Sequence, residues 1–113
     1  MIGEYHFGSI TIDGKTYNHD VQVFPTNEVR SWWRKTSHEI ALDDIGEALA
    51  EEPEIIIFGT GSPGLMKVFD ETKEKIKSLG IELIIEPTEK AVKKFNGLEK
   101  TGKRVIALFH LTC

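Results

Sequence analysis

The sequence lacks the features that mark several common classes of protein. Its only cysteine, Cys113, is the last residue, so no internal disulfide can form and no pair of nearby cysteines offers a zinc site. No run approaches the roughly 20 apolar residues that span a bilayer. The first residues, MIGEYHF, contain no basic segment followed by an apolar one. We therefore expect a cytoplasmic protein with no membrane partner.

An excess of positive charge is also missing. The formal net charge is −4, from 18 acidic and 14 basic residues, so no global field attracts nucleic acid. The stretch WWRK at 32–35 could stack bases beside basic groups, but we expect one tryptophan to pack in the core while the other, with Arg34, lines a surface. The histidines show no ligand spacing, so we predict no metal site; they are His6, His19, His38 and His110.

The composition that is present suits a small globular protein. Of the 113 residues, 40% are hydrophobic and 28% are charged, enough for one core and too few for a two-half dinucleotide-binding fold. We predict a single domain over residues 1–113, of which residues 1–36 are all β. Alternating apolar residues flank the turn dipeptide Asp13-Gly14 and predict a hairpin, and EVRSWWRK at 28–35 predicts a third strand after Pro25.

Residues 43–113 predict the order α-β-α-β-α-β. The first helix is expected to start at Asp43 or Asp44 and to end before Pro53, and the second to end at Gly80. The third opens at residues 87–89, PTE, and is expected to end at residues 96–97, NG. Apolar runs follow the helices and predict strands: IIIF at 55–58, IELII at 81–85 and RVIALFHL at 104–111.

These three apolar runs indicate the fold class. Strands with apolar residues on both faces are typical of a sheet that is covered on both sides. Right-handed helical crossovers make such successive strands parallel, with their carboxyl ends together. We therefore predict an α/β fold of three layers: a central mixed, mostly parallel sheet with helices against it and an additional N-terminal β layer.

Residues 55–64, IIIFGTGSPG, spell the G-x-G-x-x-G pattern of dinucleotide-binding proteins. Phosphate binding by this pattern needs a helix that begins at the turn. A helix capped by Ser62 would keep that option, whereas a helix that begins at Asp70 lies far from Gly61, and Pro63 removes an amide donor. We expect a glycine-rich turn without cofactor, and no binding of NAD, FAD or ATP tighter than about millimolar.

Crevices in parallel sheets form at the carboxyl ends of the strands. The turn that follows the first apolar run, the turn before Thr88, and His110 at the end of the last strand are expected to meet there. Backbone amides from helix-leading turns beside an imidazole could hold an anion, with Arg34 as a further anchor. We predict a candidate crevice lined by Arg34, Gly59, Gly61, Ser62, Thr88 and His110.

His110 is open to two interpretations. Its imidazole could act as an acid, a base or a ligand, or it could bond a backbone carbonyl and hold the chain end in place. Cys113 suggests a thiolate-imidazole pair with His110, but residues three apart on a strand point to opposite faces, and a terminal residue is poorly fixed. We therefore assign no catalytic residue.

Four stretches of the sequence together resemble an uncharacterised α/β domain family: WWRKTSHEI, FGTGSPGLMKV, PTEKAVKKFN and FHLTC. That family includes the adipogenesis-associated domain protein of animals and, more distantly, a mitochondrial assembly factor of respiratory complex I. The matching positions are Trp33, Arg34, His38, Gly59, Gly61, Thr88, Glu89, Ala91, Asn96, Phe109, His110, Thr112 and Cys113. The resemblance covers essentially the whole chain and implies the three-layer fold, a second helix that begins near Asp70, and no established activity or cofactor.

Two functions from different classes follow from these observations. The first is a non-catalytic module for protein interaction, assembly or regulation, as the resemblance implies. The second is a protein or enzyme that binds a small molecule or an anion in the predicted crevice. A closed or flat surface at the strand ends favours the first, and a concave pocket with several inward polar groups favours the second.

Overall fold

The computed structural model describes residues 1–36 and 38–113 and builds them on three sheets. The N-terminal strands are β1 (Ile2–His6), β2 (Ser9–Ile12), β3 (Lys15–Tyr17), β4 (Val21–Val23) and β5 (Val29–Ser31). The later strands are β6 (Glu39–Ile40), β7 (Ile55–Thr60), β8 (Lys67–Val68), β9 (Glu82–Glu86) and β10 (Val105–His110). The helices are a 3-10 turn (Leu42–Ile45), α1 (Gly46–Ala50), α2 (Asp70–Ser78) and α3 (Thr88–Glu99).

The central sheet has five strands in the order β5-β4-β10-β7-β9. β7 pairs in parallel with both β10 and β9, while β4 runs antiparallel to β10 and β5 antiparallel to β4. Every residue of β7 and β10 is buried, as their two-sided apolar sequences predict. β9 instead forms one edge of the sheet, where Ile85 is partly exposed. The predicted mixed α/β sheet is confirmed.

Two further layers cover the two faces of this sheet. On one face, α3 and the three-stranded sheet β1-β2-β3 contribute residues such as Phe95 and Ile10 to a core that includes Phe109. On the other face, α1, α2 and the short parallel pair β6-β8 pack over Phe58, with Ile45 and Ile76 in that core. Apolar burial on both sides of β7 and β10 is the main source of stability of such a fold.

The N-terminal segment departs from the predicted hairpin plus third strand. The Asp13-Gly14 turn is confirmed, with positive φ at both residues, but a further turn at Gly8 and a break at residues 18–20 divide the segment into five strands on two sheets. Alternating apolar residues resume directly after each break, at Ile10 and Ile12 and again at Val21 and Val23, which is why the sequence looks like continuous strands. The predicted third strand ends at Ser31, so Trp33 and Arg34 lie beyond it.

The helices confirm some predicted limits and correct others. The first helical segment begins earlier than predicted, at Leu42, as a 3-10 turn. α2 begins at Asp70, the later of the two predicted starts. α3 continues past the predicted end at residues 96–97, and Asn96 faces β1: its amide oxygen accepts a bond from the backbone N–H of Ile2 (2.9 Å), and its amide nitrogen donates to the Ile2 carbonyl (2.8 Å). Within the described residues, no helix is long and apolar enough to cross a membrane.

Candidate functional site

The three segments that were predicted to converge do so at the carboxyl ends of β7 and β10. The Gly61 N–H donates to Thr88 Oγ1 (2.8 Å), and Thr88 Oγ1 donates to the carbonyl of His110 (2.6 Å). The Thr88 N–H returns a bond to the Gly61 carbonyl (3.0 Å). We call this region the rim: the turn at residues 59–62, the start of α3, and the end of β10 with the side chains that bond His110.

The glycines of the rim are required by close packing between chain segments. A Cβ on Gly61 would lie 2.2 Å from the carbonyl oxygen of Thr112, and φ at Gly61 is +96°. A Cβ on Gly59 would lie 2.7 Å from the Phe109 ring. The Ser62 N–H donates to the same Thr112 carbonyl (3.0 Å), while the Ser62 residue is exposed. Close internal packing thus explains why Gly59 and Gly61 are glycines. The N–H groups of Gly61 and Ser62, which a dinucleotide-binding turn would offer to a phosphate, are bonded within the chain.

The His110 ring lies inside the protein against a carboxylate. Its Nδ1 lies 2.7 Å from Asp20 Oδ2, and the side chain is 6% exposed. The other oxygen, Asp20 Oδ1, accepts a bond from the Leu111 N–H (2.8 Å). The Leu111 carbonyl in turn accepts bonds from the Tyr5 hydroxyl (2.9 Å) and the Gly8 N–H (2.8 Å). The end of β10 is therefore held by side chains and backbone from three other segments.

Arg34 joins the same carboxylate. Its Nη2 donates to Asp20 Oδ2 (2.7 Å) and lies 3.2 Å from His110 Nδ1. The guanidinium carbon lies 4.4 Å from the centroid of the Trp32 ring, and the Arg34 side chain is only 6% exposed. The Arg34 side chain therefore does not line a surface as expected, because a part-buried ion pair with Asp20 holds it beside His110.

Asp20 was not identified from the sequence, although it connects His110, Arg34 and Leu111. Burial of the carboxyl opposes its ionisation, but the hydrogen bonds from His110, from the Leu111 amide and from Arg34 outweigh burial and lower the pKa of Asp20 below its ordinary value. The available signal was the stretch NHD at 18–20, where asparagine and aspartate favour a turn. In the structure the chain breaks between β3 and β4 at these residues, and Asp20 lies against the end of β10.

The rim is a packed network with one unusual atom. His110 Nε2 is buried and has no hydrogen-bond partner among the residues that the structure describes. A histidine whose Nδ1 is held by a carboxylate has the orientation that general bases use. The ring of His38 lies perpendicular to it, with 6.2 Å between ring centroids. In the described part of the chain, no group of three or more histidine, cysteine or acidic residues is arranged to hold a metal ion.

A second polar region differs from the rim because it is open. This cleft of about 440 Å³ lies between the β4-β5 edge and the helical segment at residues 42–50. We call it the acidic cleft; its lining includes Gln22, Ser31, Trp33, Asp43, Asp44 and Glu47. Trp33 is 76% exposed, whereas Trp32 is buried, as the prediction of one core tryptophan requires. The Trp32 Nε1–H donates to the carbonyl of Asp44 (2.9 Å).

Comparison with known proteins identifies relatives along the whole chain. The crystal structure of a conserved hypothetical protein, PH1505, from Pyrococcus horikoshii OT3 superposes with a TM-score of 0.92 at 29% identity and covers 100% of this chain and 99% of its own. The protein MT938 gives a TM-score of 0.86 at 30% identity, with 100% and 98% covered. A Mth938-like domain from Bordetella pertussis shares the fold at 19% identity, with a TM-score of 0.75 and 98% and 85% covered.

The family model described as "Protein of unknown function (DUF498/DUF598)" matches residues 2–110. That match extends from the start of β1 to the end of β10 and so includes both the rim and the acidic cleft. The chain therefore belongs to the DUF498/DUF598 family and has a Mth938-like fold.

Proposed function

We propose that this protein is a non-catalytic interaction module that binds a protein partner through the surface around Trp33. One observation carries the proposal: Trp33, which lines an open cleft, is 76% exposed. Exposed tryptophan is unfavourable in water, and tryptophan is enriched among the residues that dominate binding energy at protein interfaces. A partner that covers Trp33 removes this apolar surface from water.

The closed state of the rim supports the same choice. The amides of Gly61 and Ser62 and the hydroxyl of Thr88 bond to other parts of the chain, and the Asp20 carboxylate accepts bonds from within the protein. An anion at this rim would have to displace those internal bonds. Small-molecule sites are concave and carry polar groups that are free to bond the ligand.

The sequence resemblance extends this proposal to an assembly or regulatory role. Members of the resembling family with known roles look like assembly or regulatory partners, and only that general role, not a role in complex I, is the basis for the choice. The net charge of −4 supports a protein partner over a nucleic acid or an anionic membrane. A cytoplasmic location belongs to the proposal as well.

The test compares partner capture by three forms of the full chain. Wild type, Trp33→Ala and Phe7→Ala are immobilised and exposed to lysate of the source cells, and retained proteins are identified by mass spectrometry and then rebound as purified proteins. Phe7 is the matched control because it is an aromatic residue, 64% exposed, on the β-layer face of the sheet. We expect a protein that binds wild type and Phe7→Ala but not Trp33→Ala. Binding that ignores Trp33, or no retained protein, would contradict the proposal.

His110 Nε2 favours a second candidate function, the binding of a small molecule or an anion after the rim opens. Its burial without a partner among the described residues is the specific observation. Native mass spectrometry of the protein purified from its source tests this candidate: a bound species that His110→Ala loses, with folding retained, would support it. A loss of stability in His110→Ala with no bound species in wild type would instead assign His110 to anchoring the chain end.

A further inference from the structure

We infer that the acidic cleft receives an arginine side chain from a basic segment of the partner protein. This inference rests on the proposed function and adds the chemistry of the partner. The cleft combines acidic side chains and an exposed indole, which are groups that a guanidinium binds, with a buried amide that holds one of the carboxylates.

The buried amide belongs to Gln22 on β4. Its Nε2 donates to Glu47 Oε2 (2.6 Å) and to the carbonyl of Ser31 (3.0 Å), and both of these residues line the cleft. These two bonds fix which end of the amide is the donor. Gln22 is 3% exposed, and its Oε1 has no partner among the residues described. Gln22 therefore holds the Glu47 carboxylate in place at the wall of the cleft.

The carboxylates of the cleft are only partly neutralised. Asp44 accepts bonds from the backbone N–H groups of Ala41 (2.8 Å) and Lys35 (3.4 Å). The Lys35 ammonium lies 3.6 Å from Asp43, and both of these side chains are largely exposed. Exposed pairs of this kind contribute little stability, so an incoming cation displaces the lysine at small cost.

The remaining carboxylate, Glu47, also has a weak cationic partner. Arg30 Nη1 lies 3.9 Å from Glu47 Oε1, while the same guanidinium donates two closer bonds to Glu28 (2.8 and 3.2 Å). Glu47 is 57% exposed and faces the cleft. The carboxylates of the cleft therefore face cationic groups that are held loosely, as Lys35 is, or held elsewhere, as Arg30 is.

The indole of Trp33 supplies the face on which a guanidinium stacks. The two residues that flank Trp33 in the sequence make the same contact within the chain, where the Arg34 guanidinium lies over the Trp32 ring. A partner arginine would repeat that contact in the open cleft, between the indole of Trp33 and the carboxylate of Glu47.

The edge of the central sheet explains why the arginine belongs to a peptide segment. β5 is an edge strand beside the cleft. The Phe24 N–H donates to the Glu28 carbonyl and the Trp32 N–H to the Asp20 carbonyl, so the two residues that flank β5 bond toward β4 and its neighbours. The intervening Val29 and Ser31 direct their N–H groups away from β4. An extended segment that adds to this edge brings its side chains to the cleft.

The test uses the full chain and a ten-residue peptide with three arginines separated by serines, and an identical peptide with citrulline in place of arginine. Binding to every variant is measured by titration calorimetry, and in wild type the indole N–H resonance of Trp33 locates the peptide. We expect saturable binding of the arginine peptide and none of the citrulline peptide. Trp33→Ala and Glu47→Gln should each weaken binding about fivefold or more, and Lys35→Ala should tighten it by removing a competing cation.

The matched control is Glu89→Gln on α3, an exposed carboxylate on the opposite face of the sheet, which should change affinity less than about twofold. Thermal unfolding of each variant confirms that it is folded. Equal binding by Trp33→Ala or Glu47→Gln, or equal binding of the citrulline peptide, would overturn the inference. So would free arginine amide that binds as tightly as the peptide, because that result assigns the cleft to a small amine. If Trp33→Ala loses the cellular partner while the arginine peptide does not bind, the interaction proposal stands and only the arginine inference fails.

Discussion

The rim and the acidic cleft are both rich in polar groups, yet they differ in where those groups find partners. At the rim, Asp20, Arg34 and His110 bond one another, and Thr88 links the backbone of two strands. At the cleft, the indole of Trp33 faces water and the Gln22 carbonyl has no partner among the described residues. His110 Nε2 at the rim also has no partner among the described residues, so what separates the two regions is exposure: the rim is enclosed, whereas the cleft is open and presents Trp33 to water. The comparison teaches that convergence at the strand ends produces close internal packing here.

The difference has a steric origin. Residues 110–112 pass so close to the turn at residues 59–62 that glycine is required there. Such contact excludes water, so the backbone N–H and carbonyl groups at this contact bond to other parts of the chain. The cleft is formed by a short helical segment beside an edge strand, and an edge strand keeps backbone and side chains accessible.

The largest expected loss of stability comes from adding a side chain at the closely packed rim. Gly61→Val should destabilise the fold by about 4 kcal/mol, because its Cβ would meet the Thr112 carbonyl at 2.2 Å and φ is +96°. Gly97→Ala is the matched control: nothing lies within 4 Å of its added Cβ, so we expect it to stabilise α3 by up to about 1 kcal/mol. Urea unfolding of both variants measures these changes. A Gly61→Val protein as stable as wild type would show that the rim is not tightly closed.

The next effect removes the carboxylate of the rim. Asp20→Asn should cost about 2–3 kcal/mol, because Arg34 and His110 lose the charge that they share while remaining buried. Asp13→Asn removes an exposed carboxylate paired with the N-terminal amine and should cost less than about 1 kcal/mol. Equal losses in urea unfolding would contradict the special role of Asp20.

The pH dependence of these variants tests the same carboxylate in another way. Folding lowers the pKa of Asp20, so its ionised form contributes stability above the unfolded-state pKa of about 3.9. That contribution disappears as the pH falls through the lower pKa of the folded state. We expect the advantage of wild type over Asp20→Asn to be full at about pH 6 and to shrink from about pH 4 downward. Parallel stability curves across that range would rule out the lowered pKa.

The smallest expected change in the free energy of unfolding is at the cleft. Trp33→Ala should change the free energy of unfolding by less than about 0.5 kcal/mol, because the residue is 76% exposed. Trp32→Ala, its neighbour, is the matched comparison and should cost at least about 3 kcal/mol, because that ring is 4% exposed and stacks on Phe58. Similar losses for both tryptophans would mean that Trp33 is structural.

Much of the fold could be predicted from local pattern. The two-sided apolar runs of β7 and β10 indicated a covered sheet, and the parallel rule then brought Gly61, Thr88 and His110 to one edge. The predicted end of α3 failed at Asn96 because its side chain bonds Ile2, 94 residues away along the chain. The short strands β6 and β8 were missed, since two residues carry no readable period.

The candidate site was less predictable because its bonds join distant parts of the chain. His110 and Arg34 were named, but their shared partner Asp20 was not: the bond from Arg34 to Asp20 spans 14 residues and the bond between His110 and Asp20 spans 90. Neither spacing leaves a signal in a single sequence. Sequence alone also placed Arg34 at a surface, where a charged side chain is usually found.

The sequence by itself determined the apolar period of each helix and strand, the turns, and the strands that are apolar on both faces. The reason is that backbone preference and apolar alternation act over a few neighbouring residues. It thereby determined that the ends of β7 and β10 lie side by side. Only the tertiary structure decided that this edge is closed and that the cleft around Trp33 is open. The physical reason is that burial and hydrogen-bond satisfaction depend on which distant segments come into contact, and that is a property of the packed chain.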